Sequence, residues 1–147
     1  MPGCTFFGHR DCPETIRPKL RGVLTDLVNM FHVGHKGRFD AYLHSELKRL
    51  TQEYPQINYA VVLAYMPGKK TEYDDYSDTM LPEGIESVHP HYAISWRNSW
   101  MLKQSDYVVT YITHSYGGAA QFAKKARVQG KTVINLTDLP DNTARKI

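Results

Sequence analysis

Gly117 and Gly118 follow Thr113, His114 and Ser115 and open a run of small, helix-compatible residues. The first backbone N–H groups of a helix have no intrahelical partner, and here no side chain blocks approach to them. A phosphate or carboxylate can dock on such a terminus. The same two glycines also serve a tight strand-to-helix turn that binds nothing. Two further stretches carry related residues. Gly8, His9 and Arg10 lie together, and Gly34, His35, Lys36, Gly37, Arg38 and Asp40 form a second glycine-bearing basic segment. Arg10 can clamp a phosphate through two parallel hydrogen bonds, or it can pair with Asp11. His9 can contact a ligand or simply steady its loop. His35, Lys36 and Arg38 form either a phosphate-steering patch or a solvated loop. Asp40 suits a helix N-terminus, and it also suits a ribose hydroxyl. His89 and His91 are the one close histidine pair, and no Cys, His or carboxylate set completes it. Neither a metal nor a cofactor is expected.

Such residues need a scaffold, and the apolar pattern supplies one. Cys4 to Phe7 reads as a strand ended by Gly8. A helix beginning at Pro13 carries Ile16, Leu20, Val23, Leu24, Leu27 and Val28 on one stripe. Met30 to Val33 is a second strand ended by Gly34. The next helix, Phe39 to Gln52, aligns Phe39, Tyr42, Leu43, Leu47 and Leu50, and Tyr54-Pro55 stops it. Asn58 to Tyr65 is a continuous apolar strand of the kind helices cover on both faces. Residues 66–90 are irregular, with Pro67, Gly68, Pro82, Gly84, Pro90 and an acidic, aromatic segment from Glu72 to Asp78. That length suits a lid or an insert. Ile94 to Lys103 is a helix with Trp96 and Trp100 on one face and Arg97 beside it, so that Arg97 can turn toward the glycine loops. Tyr107 to Ile112 and Gly130 to Leu136 are strands flanking the helix that Gly117 opens. Residues 137–147 are a polar tail.

Strands alternating with helices predict an α/β fold: a single domain over residues 1–136, a three-layer sandwich with a parallel sheet of about five strands. Such sheets bind ligands at the carboxyl ends of the strands where strand order reverses. The candidate ligand-binding set is therefore Gly8, His9, Arg10, Gly34, His35, Gly37, Asp40, Arg97, Thr113, His114, Ser115, Gly117 and Gly118.

The totals agree with one ordinary soluble domain. The chain has 147 residues, 41% hydrophobic and 22% charged, with a formal charge of +3. A charge this small admits nucleotides or nucleic acid without demanding either, since no run of Lys or Arg exceeds two residues. Cys4 and Cys12 match no metal or redox spacing and read as buried or loop thiols. No apolar run reaches membrane-spanning length, and a cytoplasmic protein without membrane contact is the expectation.

Several motifs recur in a known order. They are Phe6-Phe7-Gly8-His9-Arg10, Val33-Gly34-x-x-Gly37-x-Phe39-Asp40, Trp96-Arg97-Asn98-x-Trp100-Met101, Ser105-Asp106-x-Val108-Val109, Gly117-Gly118-Ala119 and the run from Gly130 to Asn135. Together, from Thr5 to Leu136, they resemble the SLOG superfamily of Rossmann-like proteins, and within it the small stand-alone YpsA/DUF1273-like members. The resemblance implies a Rossmann-like fold and a ligand built on a nucleotide. The superfamily includes cytokinin-activating phosphoribohydrolases, sensors of ADP-ribose-like signals in antiviral defence, and the DNA processing protein A family, which binds single-stranded DNA. The phosphoribohydrolases carry Pro-Gly-Gly-x-Gly-Thr-x-x-Glu. On that pattern this chain has Tyr116 for the proline, Ala120 for the later glycine, Gln121 for the threonine and Lys124 for the catalytic glutamate.

The phosphate cradle is thus kept while the acid is missing, which favours binding, sensing or sequestration of a nucleotide-derived small molecule over hydrolysis. The alternatives are an N-glycosidase or phosphohydrolase using Asp40, Glu14 or a histidine, and a single-stranded nucleic-acid binder. The acidic segment from Glu72 to Asp78 speaks against the latter, because a strand-binding channel is positive. Pairing of copies into a homo-oligomer is compatible with the aromatic content of Tyr92 to Met101.

Overall fold

The computed structural model describes residues 3–9, 11–26, 30–34, 37–55, 57–64 and 78–139. Its regular elements are β1 (Gly3–Gly8), α1 (Arg17–Asp26), β2 (Met30–Val33), α2 (Gly37–Glu53), β3 (Asn58–Val62), β4 (Thr79–Met80), α3 (Ala93–Lys103), β5 (Tyr107–Tyr111), α4 (Gly118–Val128) and β6 (Thr132–Asn135). All six strands are parallel, in the order β4-β3-β2-β1-β5-β6. The chain builds outward from β1 on one side through β4, then returns to place β5 on the other side of β1. Strand order therefore reverses between β1 and β5, and there the loops leaving the two strands diverge and open a crevice.

Side-chain alternation sorts the strands onto two helical layers. Cys4, Phe6, Phe31, Val33 and Val109 pack with Leu20, Val23 and Leu24 of α1 and Phe39, Leu43, Leu47 and Leu50 of α2. Phe7, Val62 and Val108 pack on the opposite face with Met101 and Leu102 of α3 and Phe122 and Ala126 of α4. Each fully buried Phe or Leu contributes about 1.5–3 kcal/mol of burial. Thr5, whose oxygen would otherwise be an orphan, donates to the His32 carbonyl at 2.9 Å and stitches β1 to β2.

The elements depart from the sequence pattern at three places. The first helix opens as a 3-10 turn, Glu14–Ile16, before α1 begins at Arg17. Pro18 then falls in the first turn of α1, where its missing N–H costs nothing. The third strand stops at Val62, and the Leu63 N–H closes its ladder with β4 by donating to the Met80 carbonyl at 2.9 Å. The sheet has six strands rather than five, because Thr79–Met80, inside the stretch expected to be irregular, pairs with Val61 and Val62. The segment from Glu72 to Ser77, Leu27 and Val28, and the tail beyond Leu139 lie outside the described residues.

Polar contacts fix the first helical layer. Glu46, 2% exposed on α2, accepts from Arg17 at 2.8 Å, Arg21 at 2.9 Å and Arg49 at 3.0 Å. Burial alone would raise its pKa, but the hydrogen bonds from the arginines outweigh this and hold the carboxyl below its ordinary value. Asp78, at the start of β4, accepts from Tyr59 at 2.7 Å and meets His44 of α2 at 2.6 Å.

Candidate functional site

A cleft of about 320 Å³ opens at the carboxyl end of β1, at the point where strand order reverses. Four regions line it: Phe6, Phe7, Gly8 and His9 from β1 and its exit; Gly34 and Asp40 around the start of α2; Ile94, Arg97, Asn98 and Met101 from α3; and Gly117, Gly118 and Ala119 from the start of α4.

The charged centre of the cleft is assembled over Gly34. A Cβ there would stand 2.7 Å from an Asp40 carboxylate oxygen and 3.4 Å from both terminal nitrogens of Arg97. The bare glycine lets the carboxylate and the guanidinium converge on one spot. Arg97 is 3% exposed, and a buried cation is tolerated only when hydrogen-bonded. Its Nη1 donates to the Val62 carbonyl at 2.8 Å and its Nε to Asn98 Oδ1 at 2.9 Å, which fixes the plane of the guanidinium. Asp40 sits inside the first turn of α2 rather than at its capping position.

The glycines differ in purpose. A Cβ on Gly8 would lie 2.4 Å from the Phe39 ring, so this residue is glycine because α2 packs onto the end of β1. Around Gly117 and Gly118 no atom lies within 4 Å of where a Cβ would stand. Gly117, at φ 96° and ψ 167°, takes a backbone conformation that side chains disfavour, and it occupies the capping position of α4 without any side-chain oxygen to offer. The first N–H groups of α4 thus border open space beside the cleft.

At the rim, three rings form a column. His9 lies flat on His114, centroids 3.6 Å apart and planes 12° apart, and His114 lies flat on Tyr116 at 3.7 Å and 16°. Nε2 of His9 is buried with no hydrogen-bond partner among the described residues. Burial first, and the neighbouring His114 second, push the pKa of His9 down, so near neutral pH its ring is uncharged.

Of the expected residues, Gly8, His9, Gly34, Asp40, Arg97, Gly117 and Gly118 come together in the cleft. Thr113 and Ser115 are exposed and do not line it, because β5 ends at Tyr111 and the chain runs outward before Gly117 turns it back. His114 enters the column instead. Gly37 is the first residue of α2, while Arg10 and His35 lie outside the described residues. Sequence reasoning missed the walls, namely Phe6, Phe7, Ile94, Asn98, Met101 and Ala119. A signal existed for α3: Ile94, Arg97, Asn98 and Met101 recur at helical spacing, so an inward Arg97 brings the others with it. Among the described lining residues the ionisable side chains are His9, Asp40 and Arg97, and none carries a hydroxyl or thiol.

The fold superposes on that of DNA processing protein A (DprA) from Streptococcus pneumoniae with a TM-score of 0.65 at 15% identity. The match covers 90% of this chain, which spans about half, 49%, of that chain. The likeness is one of fold, the Rossmann-like arrangement to which the motifs pointed. No protein-family model and no curated protein matches the sequence. Among the described residues no helix is long and apolar enough to cross a membrane.

Proposed function

We propose that this cleft binds a nucleotide or nucleotide-derived signal of the ADP-ribose type, and that the protein senses or sequesters it as a stand-alone, YpsA/DUF1273-like member of the SLOG superfamily. The observation that carries this reading is the meeting of the uncapped, glycine-bare start of α4 with Arg97 and Asp40 in one crevice at the strand-order reversal. A phosphate fits the N-terminus of α4 and the buried guanidinium, and the Asp40 carboxylate suits a ribose hydroxyl. The volume lies at the small end of the roughly 300–1,000 Å³ of ligand pockets, in keeping with one nucleotide.

The presence of Asp40 in the cleft supports a second reading, cleavage of an N-glycosidic or phosphoester bond with that carboxylate as acid or base. Lys124, at the position of the phosphoribohydrolase glutamate, is exposed on α4 and offers no substitute. The test is calorimetric titration with AMP, ADP, ADP-ribose and cyclic nucleotides, followed by denaturation and mass analysis of the ligand. Binding with recovery of intact ligand is expected. Recovery of free base or phosphate, lost in Asp40→Asn, would shift the reading to catalysis, and absence of binding across the panel would sink both.

A further inference from the structure

The column of His9, His114 and Tyr116 has no part in the cradle just described. It begins at the cleft, with His9, and ends in solvent, where Tyr116 is 71% exposed. A tyrosine left this open forgoes most of the burial that such a ring can gain. Its orientation is nevertheless set. One face is covered by His114, and Nδ1 of His114 donates to the Tyr116 carbonyl at 3.1 Å, tying the two residues into one short loop. The other face has no ring against it among the described residues. Tyr116 is also the residue immediately before Gly117, which occupies the capping position of α4.

Resting on the nucleotide reading above, we propose that Tyr116 is the base-stacking platform of the site: the base lies on its outer face, as a fourth ring of the column, while the attached phosphate docks at the start of α4. Every nucleobase presents a flat π face, and a ring already held parallel to its neighbours loses little freedom when a base lands on it. A sugar phosphate or an inorganic anion gains nothing from the same ring. The ligand chemistry is therefore a nucleobase one sugar away from a phosphate, from either a free nucleotide or the end of a strand.

The experiment compares AMP, ribose 5-phosphate and a short oligoadenylate on the full chain and on Tyr116→Ala and Tyr116→Phe, with circular dichroism to verify folding. Tyr116→Ala is expected to weaken AMP by about 5- to 150-fold, the range of base–aromatic stacking on alanine substitution. Ribose 5-phosphate should bind both proteins alike, and Tyr116→Phe should keep the affinity for AMP. Dependence on Tyr116 seen with oligoadenylate alone upholds the platform and assigns the base to a strand. Equal binding of both AMP and oligoadenylate by the full chain and Tyr116→Ala, or a parallel loss of ribose 5-phosphate, overturns it while leaving the phosphate cradle standing. If the unaltered chain binds none of the three ligands, the nucleotide reading falls and the platform with it.

Discussion

Glu46 and Arg97 are both buried charges on helices, and the chain surrounds them differently. Glu46 lies between α1 and α2, where three arginines from its own and the neighbouring helix converge on one carboxylate. Arg97 is as deeply buried and is held by Val62 and Asn98, yet it lines a cleft whose far side is a helix start without side chains. The lesson lies in what each charge faces. Beyond Glu46 is helix packing, so its charge serves the fold; beyond Arg97 is the open volume of the cleft, whose wall the guanidinium forms.

The sharpest way to break this comparison is Gly118→Glu. A Cβ there meets nothing within 4 Å, so the fold accepts it, and a carboxylate in the first turn of a helix adds about 0.3–1 kcal/mol of stability. The same carboxylate would face the phosphate, and like-charge contact costs several kcal/mol. Affinity for AMP should fall at least ~100-fold while the melting temperature holds or rises. Retained affinity would mean that the anion does not dock on α4.

Glu46→Gln should show the reverse pattern. Breaking a buried ion pair costs about 3–5 kcal/mol, and because these arginines are partly exposed and rehydrate, a loss of about 2–3 kcal/mol is expected in urea unfolding. Nucleotide affinity should not change. A variant of full stability would show that the arginine cluster contributes little.

The smallest effect is a pH dependence. His32 is 8% exposed, its Nδ1 lacks a hydrogen-bond partner among the described residues, and burial lowers its pKa. The unfolded chain takes up a proton near pH 6.5 that the folded chain refuses, so stability is full above that pH and declines as pH falls below it. His9 shifts in the same direction, whereas Glu46 and Asp78, with lowered pKa values, lose their contributions only at more acidic pH. Unfolding free energies from urea titrations at pH 7.5 down to 5.5 should fall, by at most about 1.4 kcal/mol per pH unit for each group, and less steeply in His32→Leu. Identical slopes would assign the effect to His9.

Much of this was legible in the sequence, for identifiable reasons. The strands β1, β2, β3 and β5 are apolar runs closed by glycine or polar residues, and α2 carries an unbroken stripe from Phe39 to Leu50. The start of α4 was legible because paired glycines have few uses there. β4 was not, since two residues show no periodicity and Thr79–Met80 becomes a strand only through its neighbour β3. The walls of the cleft were hidden because Phe6, Phe7 and Met101 are core residues, and whether a core residue also borders a cavity depends on where the packing ends. The ring column was hidden as well, since His9 and His114 are far apart in sequence and meet only once β1 and β5 pair.

Gly8 and Gly118 border the same cleft, but only one of them is needed to fold. Gly8 is the seat for the Phe39 ring, and Phe39 immediately precedes Asp40, so crowding at position 8 would be felt at the carboxylate. A library randomised at both positions and sorted only for stable expression should keep glycine at 8 and release it at 118. Sorting the same library for ligand retention should restore glycine at 118, separating the pressure to fold from the pressure to bind.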